Sequence, residues 1–132
     1  MMKRFSWPVR IYYEDTDTGG VVYYANYLKF FERARTEWLR ALGVGQQRLL
    51  EDEGLMFVVA DTALRYLRAA RLDDLLQVTV AVAEAGRASL RLQQQAWRGD
   101  ELLAEGTIRI GCVTFAGFRP CRIPAAILEK IQ

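Results

Sequence analysis

The strongest hydrophobic pattern in the chain lies between residues 24 and 42. Large apolar residues recur there at steps of three and four, which places them along one face of a helix. The stripe consists of Tyr27, Phe31, Ala34, Trp38 and Leu42, and it is widened by Leu28, Phe30 and Leu39. Gly43 follows the stripe, and glycine is common just past the end of a helix. The pattern predicts one long and largely buried helix over 24–42.

Most of the remaining apolar residues alternate with polar ones, which is the period of a half-buried strand. A β-rich run opens the chain and four alternating runs follow the helix, so that strands are predicted over residues 9–13, 56–67, 76–82, 89–93 and 104–112. Turn residues at Gly86 and at 98–101 join the last three strands as antiparallel hairpins. Short helices are predicted over 46–53 and after Pro124.

This order of elements predicts an α+β protein with a single domain over residues 1–132. The sheet has one apolar face that needs a cover, and the helix over 24–42 is the only long apolar helix in the pattern. We therefore expect a five-stranded antiparallel sheet that wraps around one long central helix. Exposed strand edges are usually paired or covered. A homodimer or a homotetramer is expected.

Composition narrows the chemistry more than it narrows the fold. The net charge of +2 is too small to indicate binding to nucleic acid or to an anionic membrane surface. No window approaches the roughly 18 apolar residues of a membrane span, and the two cysteines lack the spacing of a metal site or a disulfide framework. The chain has no histidine, which excludes Ser-His-Asp, Cys-His and His-metal chemistry. We expect a cytoplasmic protein without metal or cofactor, in which any catalysis relies on carboxylates, hydroxyls, amides or arginine.

The candidate chemistry lies in the acidic turn between the first strand and the long helix. Asp15 and Asp17 stand just ahead of Gly19 and Gly20, and the helical pattern begins near Tyr24. The start of a helix presents unpaired backbone N–H groups and the positive end of the helix dipole. A carboxylate held beside such an end is suited to attack or polarise a carbonyl group. The spacing therefore favours carbonyl chemistry at this turn.

The sequence around this turn resembles hotdog-fold thioesterases of the 4-hydroxybenzoyl-CoA thioesterase type. Within that group it is most similar to the acyl-CoA thioesterases associated with the Tol–Pal cell-envelope system of Gram-negative bacteria. The resemblance covers nearly the whole chain and is carried by residues 13–17, 19–23, 26–28 and 31–37, with a weaker part at 70–74. The D-x-D motif of Asp15 and Asp17 alone would be weak support for this family, whereas the motif together with the matching residues that follow it is specific.

The resemblance implies hydrolysis of an acyl-CoA thioester with a short or aromatic acyl group, with acyl carrier protein as a further possible partner. It makes Asp17 the catalytic carboxylate, either as a nucleophile that forms an anhydride or as a general base for water. The thioester carbonyl is expected to meet a backbone N–H near Tyr24, where a preset donor stabilises the developing oxyanion. Asp15 is expected to stabilise the turn instead.

Five further residues are assigned to substrate binding by resemblance: Gly20, Asn26, Val59, Arg68 and Arg71. Each also has a plain structural interpretation. Asn26 is equally suited to cap the helix, Gly20 suits a tight turn, and Val59 suits the core or a subunit contact. Arg68 and Arg71 suit the CoA phosphates, but solvated surface charge explains them equally well.

Position 24 departs from the family pattern, because many members of the Tol–Pal-associated subgroup have histidine there. A phenol is a poor base at neutral pH, so a histidine role in proton transfer would be lost. A backbone donor does not depend on the side chain, and we therefore favour a role for the Tyr24 N–H. The alternative is a low-turnover protein that binds acyl-CoA or acyl carrier protein beside envelope or phospholipid enzymes. A hotdog dehydratase is set aside, since that family uses a catalytic histidine.

Overall fold

The computed structural model describes residues 3–131. Within them the strands are β1 (Arg4–Arg10), β2 (Leu55–Tyr66), β3 (Leu75–Ala85), β4 (Ser89–Arg98) and β5 (Glu101–Thr114). The helices are α1 (Asn26–Ala41), α2 (Gln46–Glu53) and α3 (Ala125–Ile131). One turn of 3₁₀ helix, Tyr13–Asp15, lies between β1 and α1.

The five strands form one antiparallel sheet in the order β1-β3-β4-β5-β2. Short hairpins join β3 to β4 and β4 to β5, as the glycine turns predict. β1 and β2 are therefore the edge strands, and α1 covers one face of the sheet. The predicted α+β class, with a five-stranded antiparallel sheet around one long helix, is confirmed.

The apolar stripe of α1 packs against the sheet. Phe30, Phe31 and Ala34 are completely buried. They share one core cluster with the inward residues of the sheet, among them Leu76, Val78, Val80, Leu90, Leu92 and Ile108. Burying a large apolar side chain contributes about 1.5–3 kcal/mol, so the contact between α1 and the sheet is a main source of stability.

One buried polar side chain ties α1 to the sheet. Gln94 on β4 is completely buried, and its Nε2 donates to the carbonyl oxygens of Phe31 at 3.0 Å and Thr79 at 3.2 Å. Its Oε1 accepts a hydrogen bond from Arg35 Nη1 at 3.0 Å. Because the amide oxygen and nitrogen both have partners, burying them avoids the penalty of an unsatisfied polar group. The network fixes how α1 lies across the sheet.

The first strand differs from the prediction of residues 9–13. β1 begins at Arg4 and ends at Arg10, and Pro8 lies inside it opposite Gln77. Proline cannot donate to a sheet ladder, but an edge strand has one side that needs no donor. The run at 12–13 leaves the sheet because the chain turns there into the 3₁₀ helix.

The bounds of α1 also differ slightly from the predicted 24–42. The helix begins at Asn26, because Tyr24 and Ala25 form a turn ahead of it. Gly43 follows the helix with a φ of +83°, and Gly54 ends α2 with a φ of +66°. These left-handed conformations favour glycine, so the stop signal at Gly43 is confirmed and Gly54 ends α2 in the same way.

Candidate active site

The acidic turn forms a tight hairpin after β1. The N–H of Asp17 donates to the carbonyl oxygen of Val21 at 2.9 Å, and the N–H of Gly20 donates to the carbonyl oxygen of Asp17 at 3.0 Å. Gly20 has a φ of +76°, which a residue with a side chain adopts only at a cost. Thr16 and Val22 pair as an antiparallel bridge at the base of the turn. The hairpin therefore presents Asp17 close to its tip.

The Asp17 carboxylate is oriented by its own hairpin and remains exposed. Its Oδ1 accepts a hydrogen bond from the N–H of Gly19 at 2.9 Å. A Cβ on Gly19 would stand 3.2 Å from the same oxygen, so glycine leaves room for the carboxylate. Within residues 3–131, Oδ2 accepts no hydrogen bond. One oxygen thus holds the group in place, and the other is free to react.

Asp15 connects this hairpin to the start of α1. Its carbonyl oxygen accepts hydrogen bonds from the N–H of Tyr23 at 3.0 Å and from Nδ2 of Asn26 at 2.9 Å. Its carboxylate Oδ2 accepts the N–H of Tyr12 at 2.8 Å, which is the turn role expected of it. The two bonds to one carbonyl hold the start of α1 against the hairpin that carries Asp17.

Asn26 does not cap α1. The N-cap residue is Ala25, which supplies no side-chain hydrogen bond, and Asn26 is the first helical residue. The Asn26 amide turns back to Asp15 instead of satisfying the amides of its own helix. The capping interpretation of Asn26 is therefore wrong, and the side chain positions the helix relative to the acidic hairpin.

The N–H of Tyr24 is a free donor beside this junction. The amides on either side of the turn are occupied, since Tyr23 donates to Asp15 and Asn26 donates to the carbonyl oxygen of Tyr23 at 2.9 Å. In the part of the chain that the structure describes, the N–H groups of Tyr24 and Ala25 have no acceptor. Tyr24 lies one residue ahead of the N-cap rather than at the helix start where the sequence placed it. Its N–H still adjoins the positive end of the α1 dipole.

Aromatic side chains wall a pocket of about 260 Å³ next to Tyr24. Tyr24 packs edge-on against Tyr66 with ring centroids 5.8 Å apart, and Tyr27 lies 5.5 Å from the same ring. Arg68 also lines this pocket. Burial raises the pKa of both Tyr27 and Tyr66, so their hydroxyl groups stay protonated at neutral pH. The pocket offers an apolar wall with one cation at its rim.

Sequence reasoning missed Tyr66 as part of this site. The residue ends β2 and reaches Tyr24 only through the tertiary fold. The one signal in the sequence is an aromatic residue at the end of a strand, directly ahead of Leu67 and Arg68. That signal does not say which other element the ring meets.

Arg71 lies beside the acidic hairpin. Val21 forms an antiparallel bridge with Arg71, and the N–H of Val22 donates to the carbonyl oxygen of Ala70 at 2.9 Å. The Arg71 side chain is exposed. The fold therefore brings Asp17, Gly20, Tyr24, Asn26, Arg68 and Arg71 into one region at the start of α1.

An ion pair holds the turn that carries Arg71. Asp74 Oδ2 accepts hydrogen bonds from the N–H of Arg71 and from Nη1 of Arg98, each at 2.8 Å. Burial alone would raise the pKa of Asp74, but these hydrogen bonds and the nearby positive charges outweigh it and lower the pKa. Asp74 and Arg98 are 24 residues apart, and no local pattern in the sequence links them.

Val59 is not brought together with the other site residues in this chain. It lies on β2 and is 51% exposed. It lines a separate groove of about 350 Å³ between α1 and β2, together with Arg35, Leu39 and Phe57. A role for Val59 beside Asp17 therefore needs a second subunit.

Two further observations concern residues 3–131 only. They contain no cluster of three or more cysteine, aspartate and glutamate side chains arranged to hold a metal ion. None of their helices is both long enough and apolar enough to cross a membrane.

The fold is a hotdog fold, because a five-stranded antiparallel sheet wraps around one long helix. The hairpin that carries a carboxylate at the start of that helix is a candidate site for carbonyl chemistry. The family model of the Thioesterase-like superfamily matches residues 12–131. The chain belongs to this superfamily, and the resemblance to hotdog-fold thioesterases is confirmed.

Characterised relatives cover almost the whole chain. The acyl-CoA thioesterase YbgC of Haemophilus influenzae is 49% identical over 123 residues, which are 93% of this chain and 90% of the relative. The acyl-CoA thioester hydrolase YbgC of Escherichia coli is 40% identical over 129 residues, which are 97% of this chain and 96% of the relative.

Solved structures agree with the fold. A probable thioesterase from Bartonella henselae superposes with a TM-score of 0.88 at 33% identity, covering 92% of this chain and 100% of the other. A 4-hydroxybenzoyl CoA thioesterase mutant complexed with 4-hydroxybenzoyl CoA superposes with a TM-score of 0.92, covering 98% of this chain and 99% of the other. The identity to the second structure is 20%, so this likeness concerns the fold alone.

Proposed function

We propose that this protein hydrolyses acyl-CoA thioesters at the junction between the acidic hairpin and the start of α1. The observation that carries the proposal is an exposed Asp17 carboxylate on a hairpin that is hydrogen-bonded to the start of α1, where the N–H of Tyr24 has no acceptor within residues 3–131. Asp15 joins the two parts through its carbonyl oxygen. Similarity to the acyl-CoA thioesterase of Haemophilus influenzae supports the substrate class.

The geometry suggests how the residues divide the reaction. The thioester carbonyl oxygen accepts the N–H of Tyr24, and Oδ2 of Asp17 faces the carbonyl carbon. Asp17 attacks that carbon itself, or it takes the proton of a water molecule that attacks it. When Asp17 is the nucleophile, its C–O bond to the acyl carbon replaces the C–S bond; water then protonates the CoA thiolate and hydrolyses the anhydride, which releases the carboxylic acid and restores the Asp17 carboxylate. When Asp17 is the base, water forms the C–O bond, the C–S bond breaks, and the proton that Asp17 took from water passes to the departing CoA thiolate. The N–H stabilises the oxyanion, and loss of one comparable donor costs about 100- to 1,000-fold in rate.

The neighbouring residues suit the binding of the rest of the substrate. The side chains of Arg68 and Arg71 are exposed, Arg71 beside the hairpin and Arg68 at the pocket next to Tyr24. Two cations there favour the phosphates of CoA, although Arg68 also lies 3.9 Å from Glu101. The space beside Gly20 is open, because no atom lies within 4 Å of a Cβ placed there. We assign Arg68, Arg71 and Gly20 to substrate binding, and Asn26 to positioning the Tyr24 donor.

We also propose that a homodimer, or a homotetramer built from it, completes the site. β2 is an edge strand of 12 residues, and its residues 59–63 are exposed. A long open edge is normally paired or covered. Pairing of β2 with a second copy of the chain would bury Val59 and close its groove between the two subunits. A residue that lines an acyl pocket needs such a buried position. Light scattering at micromolar concentration is expected to give at least twice the monomer mass; a clean monomer would contradict this.

The proposal extends to two further points. Acyl carrier protein thioesters carry the same reactive group, so we include them as candidate substrates. The proposed compartment is the cytoplasm, where free thiols such as Cys112 and Cys121 stay reduced.

The proposed activity is tested by CoA-thiol release from a panel of acyl-CoA substrates that spans short, long and aromatic acyl groups. Turnover is expected on short or aromatic members. Tight binding without turnover on any member would instead support the low-turnover binding protein. Binding and hydrolysis are measured on the same preparation, so that an inactive sample is not mistaken for a binding protein.

A further inference from the structure

A second cavity lies at the other end of α1, away from the acidic hairpin. Its volume is about 550 Å³, within the roughly 300–1,000 Å³ typical of small-molecule pockets. Trp38 and Leu42 line it from the C-terminal end of α1. The 16 residues of α1 rise by roughly 24 Å, so the cavity is well separated from Asp17. The proposed thioesterase reaction makes no use of it.

The floor of this cavity is apolar. Phe5 of β1, Val82 of β3 and Ile131 of α3 join Trp38 and Leu42 there. All but Trp38 are only partly buried, although they pack against the core. Apolar surface left accessible in a concave site favours a ligand with an apolar body.

The rim of the cavity is cationic. Lys3 and Arg4 lie on one side, and Lys130 of α3 lies on another. Lys130 lies over Gly43: a Cβ placed on this glycine would stand 3.3 Å from the Lys130 Nζ. In the described residues 3–131, Lys3, Arg4 and Lys130 form no ion pair. Within those residues three positive charges therefore lie at the rim without an ion-pair partner. Lys130 also borders a groove that Asp52 and Glu53 line.

The acids on the neighbouring elements do not neutralise this rim. Glu37 on α1 is paired with Arg40 at 2.6 Å, and Glu84 on β3 lies 3.9 Å from Arg91. None of the acidic residues among 3–131 lines the cavity. The field at the opening thus favours an anion, and an arginine there can bind a carboxylate through two parallel hydrogen bonds.

We propose that this cavity binds a fatty carboxylate, with its alkyl chain on the Phe5–Trp38–Val82 floor and its carboxylate among Lys3, Arg4 and Lys130. The apolar floor and the cationic rim together match one alkyl chain with one anionic end. The size of the cavity suits a single-chain small molecule rather than a macromolecular partner. The inference does not depend on the thioesterase activity proposed above.

The test uses quenching of Trp38 fluorescence by 12-bromododecanoate, kept below its micelle concentration, on the full chain in which the other two tryptophans, Trp7 and Trp97, are replaced by phenylalanine. Saturable quenching is expected for the wild type and for Asp17→Asn, whereas Trp38→Phe should lose most of it. The double variant Arg4→Glu, Lys130→Glu places like charge against the carboxylate and is expected to weaken binding at least about 10-fold. Dodecyltrimethylammonium, with the same chain and the opposite charge, is the matched control ligand and should bind far more weakly.

Independent readouts keep the test decisive. Dodecanoate is expected to raise the melting temperature of the wild type but not that of the charge-reversed variant, and this comparison does not depend on Trp38→Phe folding. Equal binding of the two amphiphiles, or full binding by the charge-reversed variant, would overturn the proposal. A changed affinity in Asp17→Asn would overturn it too, because the ligand would then lie beside that side chain in the acyl site. A charge-reversed variant of lower mass in light scattering, together with no quenching of the larger wild-type form, would assign the patch to a contact between copies and also reject the proposal.

Discussion

Replacing Asn26 with alanine should slow hydrolysis far more than it destabilises the fold. The variant loses one half-buried hydrogen bond, from Nδ2 to the carbonyl oxygen of Asp15. That oxygen keeps the N–H of Tyr23, so no buried acceptor is left unsatisfied. The cost in unfolding free energy is then about 1 kcal/mol, which lowers the melting temperature by about 4 °C in a chain of this size.

The expected effect on the rate is larger because Asn26 fixes the turn that carries the Tyr24 donor. Complete loss of such a donor costs about 100- to 1,000-fold, and we expect a partial displacement to reduce kcat by about 10-fold or more. KM should change little, since Asn26 is directed at Asp15 and not at the substrate. Steady-state kinetics with a short acyl-CoA, measured together with thermal melts, separate the two effects.

Thr114→Val provides a matched control. It removes another hydrogen bond between a side chain and the backbone, from the N–H of Arg119 to Thr114 Oγ1 at 3.3 Å. Thr114 pairs with Leu55, and Tyr66 lies at the other end of β2. Because Thr114 is therefore far from the candidate site, Thr114→Val should lower the melting temperature by a similar amount and leave kcat unchanged. An Asn26→Ala variant with normal kcat, or with a raised KM alone, would refute the positioning role and return Asn26 to direct substrate binding.

Three other substitutions test separate parts of the structure. Tyr24→Phe keeps the backbone N–H and should retain at least about half of kcat in the thiol-release assay; a large loss would show that the hydroxyl takes part. Asp74→Asn should weaken the loss of unfolding free energy at acid pH, measured by denaturant titration at a series of pH values. The depressed pKa of Asp74 gives the wild type stability that is complete above the unfolded pKa near 3.9 and is lost as pH falls through the lower folded pKa. An equally steep loss of stability in the variant would contradict this. Gly106→Ala places a Cβ 2.5 Å from the Ala63 carbonyl oxygen and should lower the unfolding free energy by about 1–3 kcal/mol, measured by thermal melts. The Cβ of Gly111→Ala would lie 3.9 Å from its nearest neighbour, and this control should leave the melting temperature nearly unchanged.

The elements that the sequence predicts well are those with a periodic signal. The stripe through Phe31 and Trp38 locates α1, and alternation through Leu76 and Val80 locates β3, because burial on one face imposes those periods. The bounds of β1 differ from the predicted 9–13 because the β-rich run crosses the end of the strand, and a strand that contains Pro8 is compatible with the sheet only at an edge, which the sheet order shows.

The candidate site was predictable only in part, for a similar reason. Asp17 and Gly20 lie three positions apart in the sequence and share a hairpin, so local spacing identifies them. The contacts from Asn26 to Asp15, from Tyr66 to Tyr24 and between Asp74 and Arg98 span 11 to 42 residues. Such pairs have no local pattern, and they become visible only when the sheet and α1 are assembled.

The most direct test of the central claim is the rate of acyl-CoA hydrolysis by Asp17→Asn at saturating substrate. Asparagine keeps an oxygen that can accept the Gly19 N–H, so the hairpin should fold normally, but it supplies neither a nucleophilic carboxylate nor a base. Glu14→Gln, which neutralises an exposed acid in the neighbouring 3₁₀ turn, is the matched control. We expect kcat to fall by at least about 100-fold in Asp17→Asn and to stay at the wild-type value in Glu14→Gln; equal rates for Asp17→Asn and the wild type would contradict the account.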